Sequence, residues 1–136
     1  MTSTLKLEIV TPEGIMYSDV VDLVTLQGAD AQVTILPEHV RLMIQLAPGE
    51  MIASKSGHER FLALGEGLAL VRGDRVSVMT DMAVTAENID ETRAEEARQR
   101  AAARLQEKIS SEEIASVNGA LARSLAQLRV KRHHRP

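Results

Sequence analysis

The chain has no cysteine and no tryptophan among its 136 residues, and its only aromatic side chains are Tyr17 and Phe61. Without thiols neither a disulfide nor a thiolate metal site can form, and a reducing compartment fits. Two aromatics are too few to build a base-stacking surface, which argues against nucleic acid as a partner. They also leave the core aliphatic. No apolar run approaches the roughly 20 residues that a membrane span needs, and the N-terminus lacks the apolar segment of a signal peptide. The expectation is a cytoplasmic protein, either soluble or peripheral to a membrane. At this length the chain can bury one moderate core, or a small core with an appendage.

Charge is unevenly spread. The net formal charge is −3, but residues 1–86 hold 6 Lys and Arg against 11 Asp and Glu, whereas residues 87–136 hold 10 against 8. The split suggests partners of different sign for the two halves, set against the simpler reading of a solvated helix face.

The first half reads as strands. Leu5, Leu7 and Ile9 alternate with Lys6 and Glu8, the pattern of a half-buried strand. Pro12, Gly14, Gly28, Pro37, Pro48, Gly49, Gly57, Gly65, Gly67 and Gly73 then punctuate short runs of Val, Leu and Ile. The segment Asp19–Leu26 reads as one strand, apolar on both faces and therefore central. Met51–Ser54 and Arg60–Leu64 form a hairpin across Lys55-Ser56-Gly57-His58, and Arg75–Thr80 closes the series. About nine short strands at near-regular spacing predict a β-sandwich or flattened barrel over residues 1–86.

The second half reads as helices. Asn88 is placed as an N-cap with Glu91 reaching back to it, which would put Asp90 in the first turn. Ile89, Ala94, Ala97, Ala101, Ala102, Leu105 and Ile109 make a stripe of mostly small residues. Ile114, Val117, Leu121, Leu125 and Leu128 make a cleaner apolar seam. Ser110 with Glu113 offers a second capping box, so two antiparallel helices of about 20 residues, each about 30 Å long, are expected over residues 87–136, followed by a basic tail. With no Gly or Pro at the break the two could also join into one helix. Asn118-Gly119 softens the second by on the order of 1 kcal/mol. Such a pair is a bistable element.

Motifs for catalysis are missing. No nucleophile, phosphate loop or metal constellation is present, and Gly65-Glu66-Gly67 reads as a turn. His39 and His58 stand on separate loops, and the terminal His133-His134 is expected to be disordered. Arg93, Arg100 and Arg123 are the more interesting set. Arg93 and Arg100 share a helix face, and Arg123 joins them only if the chain folds back near Ser110. An unbroken helix would hold Arg100 and Arg123 about 35 Å apart. Three guanidiniums so gathered suit a phosphate chain, while the alternative is plain solvation of an exposed helix.

Taken in order, LKLEIVTPEGIMYSDVVDLV, ILPEH, APGE, VSVMTDMAV, IDETRAEEA and LAQLRV resemble the ε subunit of bacterial F-type ATP synthases (δ in mitochondria) over nearly the whole length. The resemblance implies a ten-strand sandwich followed by a helical hairpin, in a non-catalytic rotor subunit at the cytoplasmic face of the bacterial inner membrane. The sandwich would bind the γ subunit and sit on the c-ring. The helices would inhibit ATP hydrolysis by extending toward the α/β head, and the membrane would be met only through the complex. No catalytic or metal residue and no resident cofactor are implied, ATP being at most a weak regulatory ligand.

For that ligand the family motif I/L-D-x-x-R-A is present as Ile89, Asp90, Arg93 and Ala94, with Arg100 and Arg123 matching two further family arginines. Gln127 and Val84 replace a last arginine and an upstream glutamate of the family site. The loop implied to face the c-ring comprises Gln32, Leu36, Pro37, His39 and Leu42. It departs from the family pattern at Ala31, Thr34 and Glu38, which stand for glycines, and at Gln32, which stands for an acidic residue. Two other classes compete. A free-standing nucleotide sensor would draw on the arginine set, and a hydrolase using His39 and Glu38 would lack a nucleophile.

Overall fold

A computed structural model describes residues 4–37 and 39–134. The described residues form ten strands: β1 (Leu5–Thr11), β2 (Gly14–Val21), β3 (Leu23–Gln27), β4 (Gln32–Ile35), β5 (His39–Leu46), β6 (Gly49–Lys55), β7 (His58–Leu64), β8 (Gly67–Gly73), β9 (Arg75–Thr80) and β10 (Ala83–Thr85). They make two five-stranded sheets, ordered β2-β1-β9-β8-β5 and β10-β7-β6-β3-β4. The alternation along β1 buries Leu5, Leu7 and Ile9, which meet Val24 and Leu26 of β3, Met51 and Ala53 of β6, and Val76 and Val78 of β9 in one aliphatic core. Each Val, Leu, Ile or Met among them contributes about 1.5–3 kcal/mol when withdrawn from water, against the entropy of ordering it.

One expected strand is two. The run Asp19–Leu26 divides at Asp22, where the chain leaves the first sheet and enters the second. Asp22 makes the corner: its backbone N–H donates to Ser54 O at 2.7 Å, and its carboxylate accepts from the Ser56 backbone N–H at 2.8 Å. The β6–β7 turn follows the expectation, since Ser56 and Gly57 both take positive φ (50° and 80°), the twist-matched hairpin geometry.

A short 3₁₀ turn, Ala86–Asn88, leads to α1 (Glu91–Arg104) and α2 (Ser111–His134). The helices are unequal, 14 and 24 residues rather than about 20 each. The cap is also displaced. Asp90, not Asn88, caps α1, its carboxylate accepting from the Arg93 backbone N–H at 3.1 Å. Asn88 is taken up by the 3₁₀ turn, so the aspartate two residues on meets the free N–H groups. The expected break near Ser110 is present. The Glu113 backbone N–H donates to Ser110 Oγ at 3.2 Å, and Arg104 reaches across to Glu113 at 2.6 Å.

The apolar seam expected on α2 is only partly inward. Leu128 is buried, yet Ile114 and Leu125 are 41% and 43% exposed. Instead Ala126 and Val130 pack with Ala63, Ala86 and Ile89, flanked by Phe61, Met82 and Val84. Small side chains let the helix approach the outer face of the second sheet closely, and that close fit outweighs burial of the longer leucines. Among the described residues, the outer face of the first sheet carries no helix contact of comparable extent.

Candidate functional site

The end of β10, the start of α1 and the middle of α2 enclose an open groove of about 690 Å³ that also touches the β1–β2 turn. Its lining includes Asp90, Arg93, Ala94 and Arg100, together with Val84, Ser124, Gln127, Glu13 and Glu96. The hairpin thus gathers most of the predicted nucleotide set. It also gathers both positions where this chain departs from the family site, Val84 and Gln127.

The members of the set do different work. Ile89 is 4% exposed inside the helix–sheet cluster, and Ala94 is 4% exposed, so both are packing residues. Asp90 is committed to capping α1. Arg93 and Arg100 line the groove, and neither guanidinium forms an ion pair or hydrogen bond with a described residue. Arg123 is not among the lining residues. It turns toward Asp81, with Nη1 3.5 Å from Oδ2. The groove therefore presents two guanidiniums against three carboxylates, those of Glu13, Asp90 and Glu96. A polyphosphate entering it would meet little net attraction. Glu13 escaped the sequence reading because it lies in a turn far upstream, where nothing marks its approach to α1.

The predicted docking residues span the length of β4 and the start of β5. Gln32 opens β4 opposite Gln27, whereas Leu36 and Pro37 follow the strand's other end, where β5 begins. Leu36 and Leu42 are 53% and 39% exposed. The side chain of His39 and the whole of Glu38 lie outside the described residues. At the Gln32 end a second groove of about 640 Å³ is lined by Ala29, Pro48, Leu68, Glu66 and Asp81, among others. Gly65-Glu66-Gly67 is there as the expected turn. A Cβ at Gly67 would lie 1.9 Å from Met79 O, so close strand approach explains that glycine.

The terminal histidines are ordered, contrary to expectation. They occupy the last turn of α2 and straddle Phe61, with ring centroids 4.9 Å (His133) and 5.7 Å (His134) from it. His133 Nδ1 stands 2.7 Å from Glu50 and His134 Nε2 3.6 Å from Glu87, while Lys131 donates to Ala86 O at 3.1 Å. A clasp thus holds the end of α2 on the sandwich. Among the described residues no cluster of His, Asp and Glu is arranged to hold a metal, and no helix is long and apolar enough to cross a membrane.

Two family domains tile the chain. Residues 4–86 match the beta-sandwich domain of the ATP synthase Delta/Epsilon chain, and residues 87–132 match its long alpha-helix domain. The ATP synthase epsilon chain of Herpetosiphon aurantiacus is 37% identical over 131 residues, 96% of either chain. That of Hydrogenovibrio crunogenus is 34% identical over 94% of this chain and 89% of its own. The fold also superposes on a chain of the Euglena gracilis mitochondrial ATP synthase (OSCP/F1/c-ring), with a TM-score of 0.80 at 22% identity over 93% of this chain and 80% of that one. The chain belongs to the delta/epsilon family of ATP synthase chains, non-catalytic subunits of that complex.

Proposed function

We propose that this subunit joins γ to the c-ring in the central stalk of a bacterial F-type synthase, on the cytoplasmic side of the membrane, and that its hairpin restrains ATP hydrolysis when it extends toward the α/β head. The observation that carries the γ assignment is the asymmetry of the two sheets. The second sheet's outer face is covered by α2, while the first leaves Ile15 64%, Met79 42%, Met43 64% and Leu68 39% exposed. A connected apolar face of this kind is the mark of a protein interface. γ docks there.

The c-ring takes the Gln32 end. A subunit bridging two partners needs two separated surfaces, and Gln32 stands a strand's length away from Leu36, Pro37 and the start of β5. On this reading Leu36, Pro37, His39 and Leu42 border the γ side instead of the ring. The α2 clasp holds the hairpin in its folded-back form, and release of the clasp is the step that lets the helices reach the head. ATP binds the Arg93–Arg100 groove no better than weakly, because Arg123 is engaged by Asp81 and the groove's carboxylates outnumber its guanidiniums. The test of the docking assignment is reconstitution of the synthase with Met79→Asp and Gln32→Lys chains. The first should lose γ, and the second should keep γ while losing coupled ion pumping. Full assembly and coupling in both variants would refute the assignment.

A further inference from the structure

All six Lys and Arg of residues 1–86 stand near one end of the sandwich, by the start of β1, β5, β7 and β9 or the end of β6 and β8. Four of them form a rung. Lys6 on β1 is in register with Arg75 on β9, Arg75 is in register with Arg72 on β8, and Arg41 occupies the shifted stretch of β5 that faces Arg72. Leu5, Leu7, Val71 and Val76 beside three of them point into the core, and Ile44 and Leu46 set the inward phase of β5 that turns Arg41 outward, so the four cations share the outer face of the first sheet. All four are exposed, and none forms an ion pair with a described residue. Glu8, two residues along β1, and Asp74, in the β8–β9 turn, likewise form no ion pair with a described residue.

Adjacent strands lie about 4.8 Å apart, and like charges directly opposite each other destabilise a sheet. A row of four cations across four consecutive strands thus works against the fold that carries it. An anionic surface laid over the row would relieve that repulsion. The rung is also continuous with the apolar rows formed by Met43 and Leu70 and by Ile15, Met79 and Leu68 on the same face.

We infer that this face recognises a protein surface in which an apolar strip is bordered on one side by a cluster of carboxylates, and that the rung of Lys6, Arg75, Arg72 and Arg41 sets its orientation. The inference rests on the reading of γ as the occupant and adds the chemistry that γ must present there. The apolar rows hold the partner, and the rung steers it and fixes its register.

The experiment compares full-length wild type, Arg72→Ser/Arg75→Ser and Met79→Asp chains. Each is titrated onto the synthase head that contains γ but lacks this subunit, across a range of ionic strength. The double serine variant should associate about tenfold more slowly at low salt and lose most of the salt dependence. Its isolated chain should melt at the same temperature as wild type or higher, because a repulsion has been removed. Met79→Asp should abolish binding while keeping the fold. Unchanged rate and salt dependence in the double variant, with binding lost in Met79→Asp, would overturn the inference and leave the docking face standing. Unimpaired binding by all three would overturn both. Loss of binding to phosphatidylglycerol vesicles in the double variant, with normal binding to the head, would assign the rung to lipid and reject the proposal.

Discussion

The Arg123 guanidinium lies 3.5 Å from the Asp81 carboxylate, across the seam between α2 and the sandwich, and not beside Arg93 and Arg100. That placement turns a three-arginine anion site into a two-arginine groove. Calorimetric titration of the full-length chain with ATP should give a millimolar or undetectable Kd. A micromolar Kd abolished by Arg93→Ala would show that Arg123 leaves Asp81 to join the site.

The helical half should be separable. The main core draws its buried residues from Leu5 to Ala83, with none from α1 or α2. A fragment ending at Ala86 should therefore unfold cooperatively by circular dichroism. It should also bind a hydrophobic dye more strongly than the full chain, because Ala63, Phe61 and Val84 lose their cover. A non-cooperative melt would mean that the helices complete the core.

The clasp is open to a direct test. Phe61→Ala removes the ring between His133 and His134 and should cost on the order of 1–2 kcal/mol, below the full core value because the site is half-exposed. Amide exchange should rise in the last two turns of α2 and stay unchanged in β1 and β9. Uniformly raised exchange would place Phe61 in the global core instead.

Acid should loosen the link between the two sheets. Lys55 donates to Asp19 at 2.9 Å, and that hydrogen bond, with a second from the Val20 N–H, holds the Asp19 carboxyl below its ordinary range. A depressed folded-state pKa stabilises the fold above the unfolded value, and the contribution is lost as pH falls through the folded one. Since the pair is substantially exposed, a few tenths of a kcal/mol is the expected size. Asp19→Asn should flatten the stability profile below about pH 4 and leave it parallel to wild type near neutrality. An unchanged acid limb would dismiss the pair.

Much of this arrangement was legible in the sequence because local signals agreed with it. Period-two alternation in β1, the Ser56-Gly57 turn and the Ser110 cap all act within a few residues of where they are written. The misreadings share another cause. Asp22 interrupts an apolar run without Gly or Pro, and only the partners Ser54 and Ser56, more than thirty residues later, reveal it as a corner. Asn88 and Asp90 are comparable caps in isolation, and the preceding 3₁₀ turn decides between them. The leucine seam misled because small side chains on α2 set the distance to the sheet. The cation rung is invisible until register aligns positions 6, 75, 72 and 41.

The absence of cysteine makes one measurement unusually direct, since a single introduced thiol is the chain's only one. Met79→Cys and Gln32→Cys, each carrying a short photoreactive crosslinker, should be assembled into the intact synthase in native membranes and illuminated. The account predicts that Met79→Cys captures γ and Gln32→Cys captures the c subunit. Capture of γ at neither position, with efficient capture from Leu125→Cys on the exposed side of α2, would contradict it.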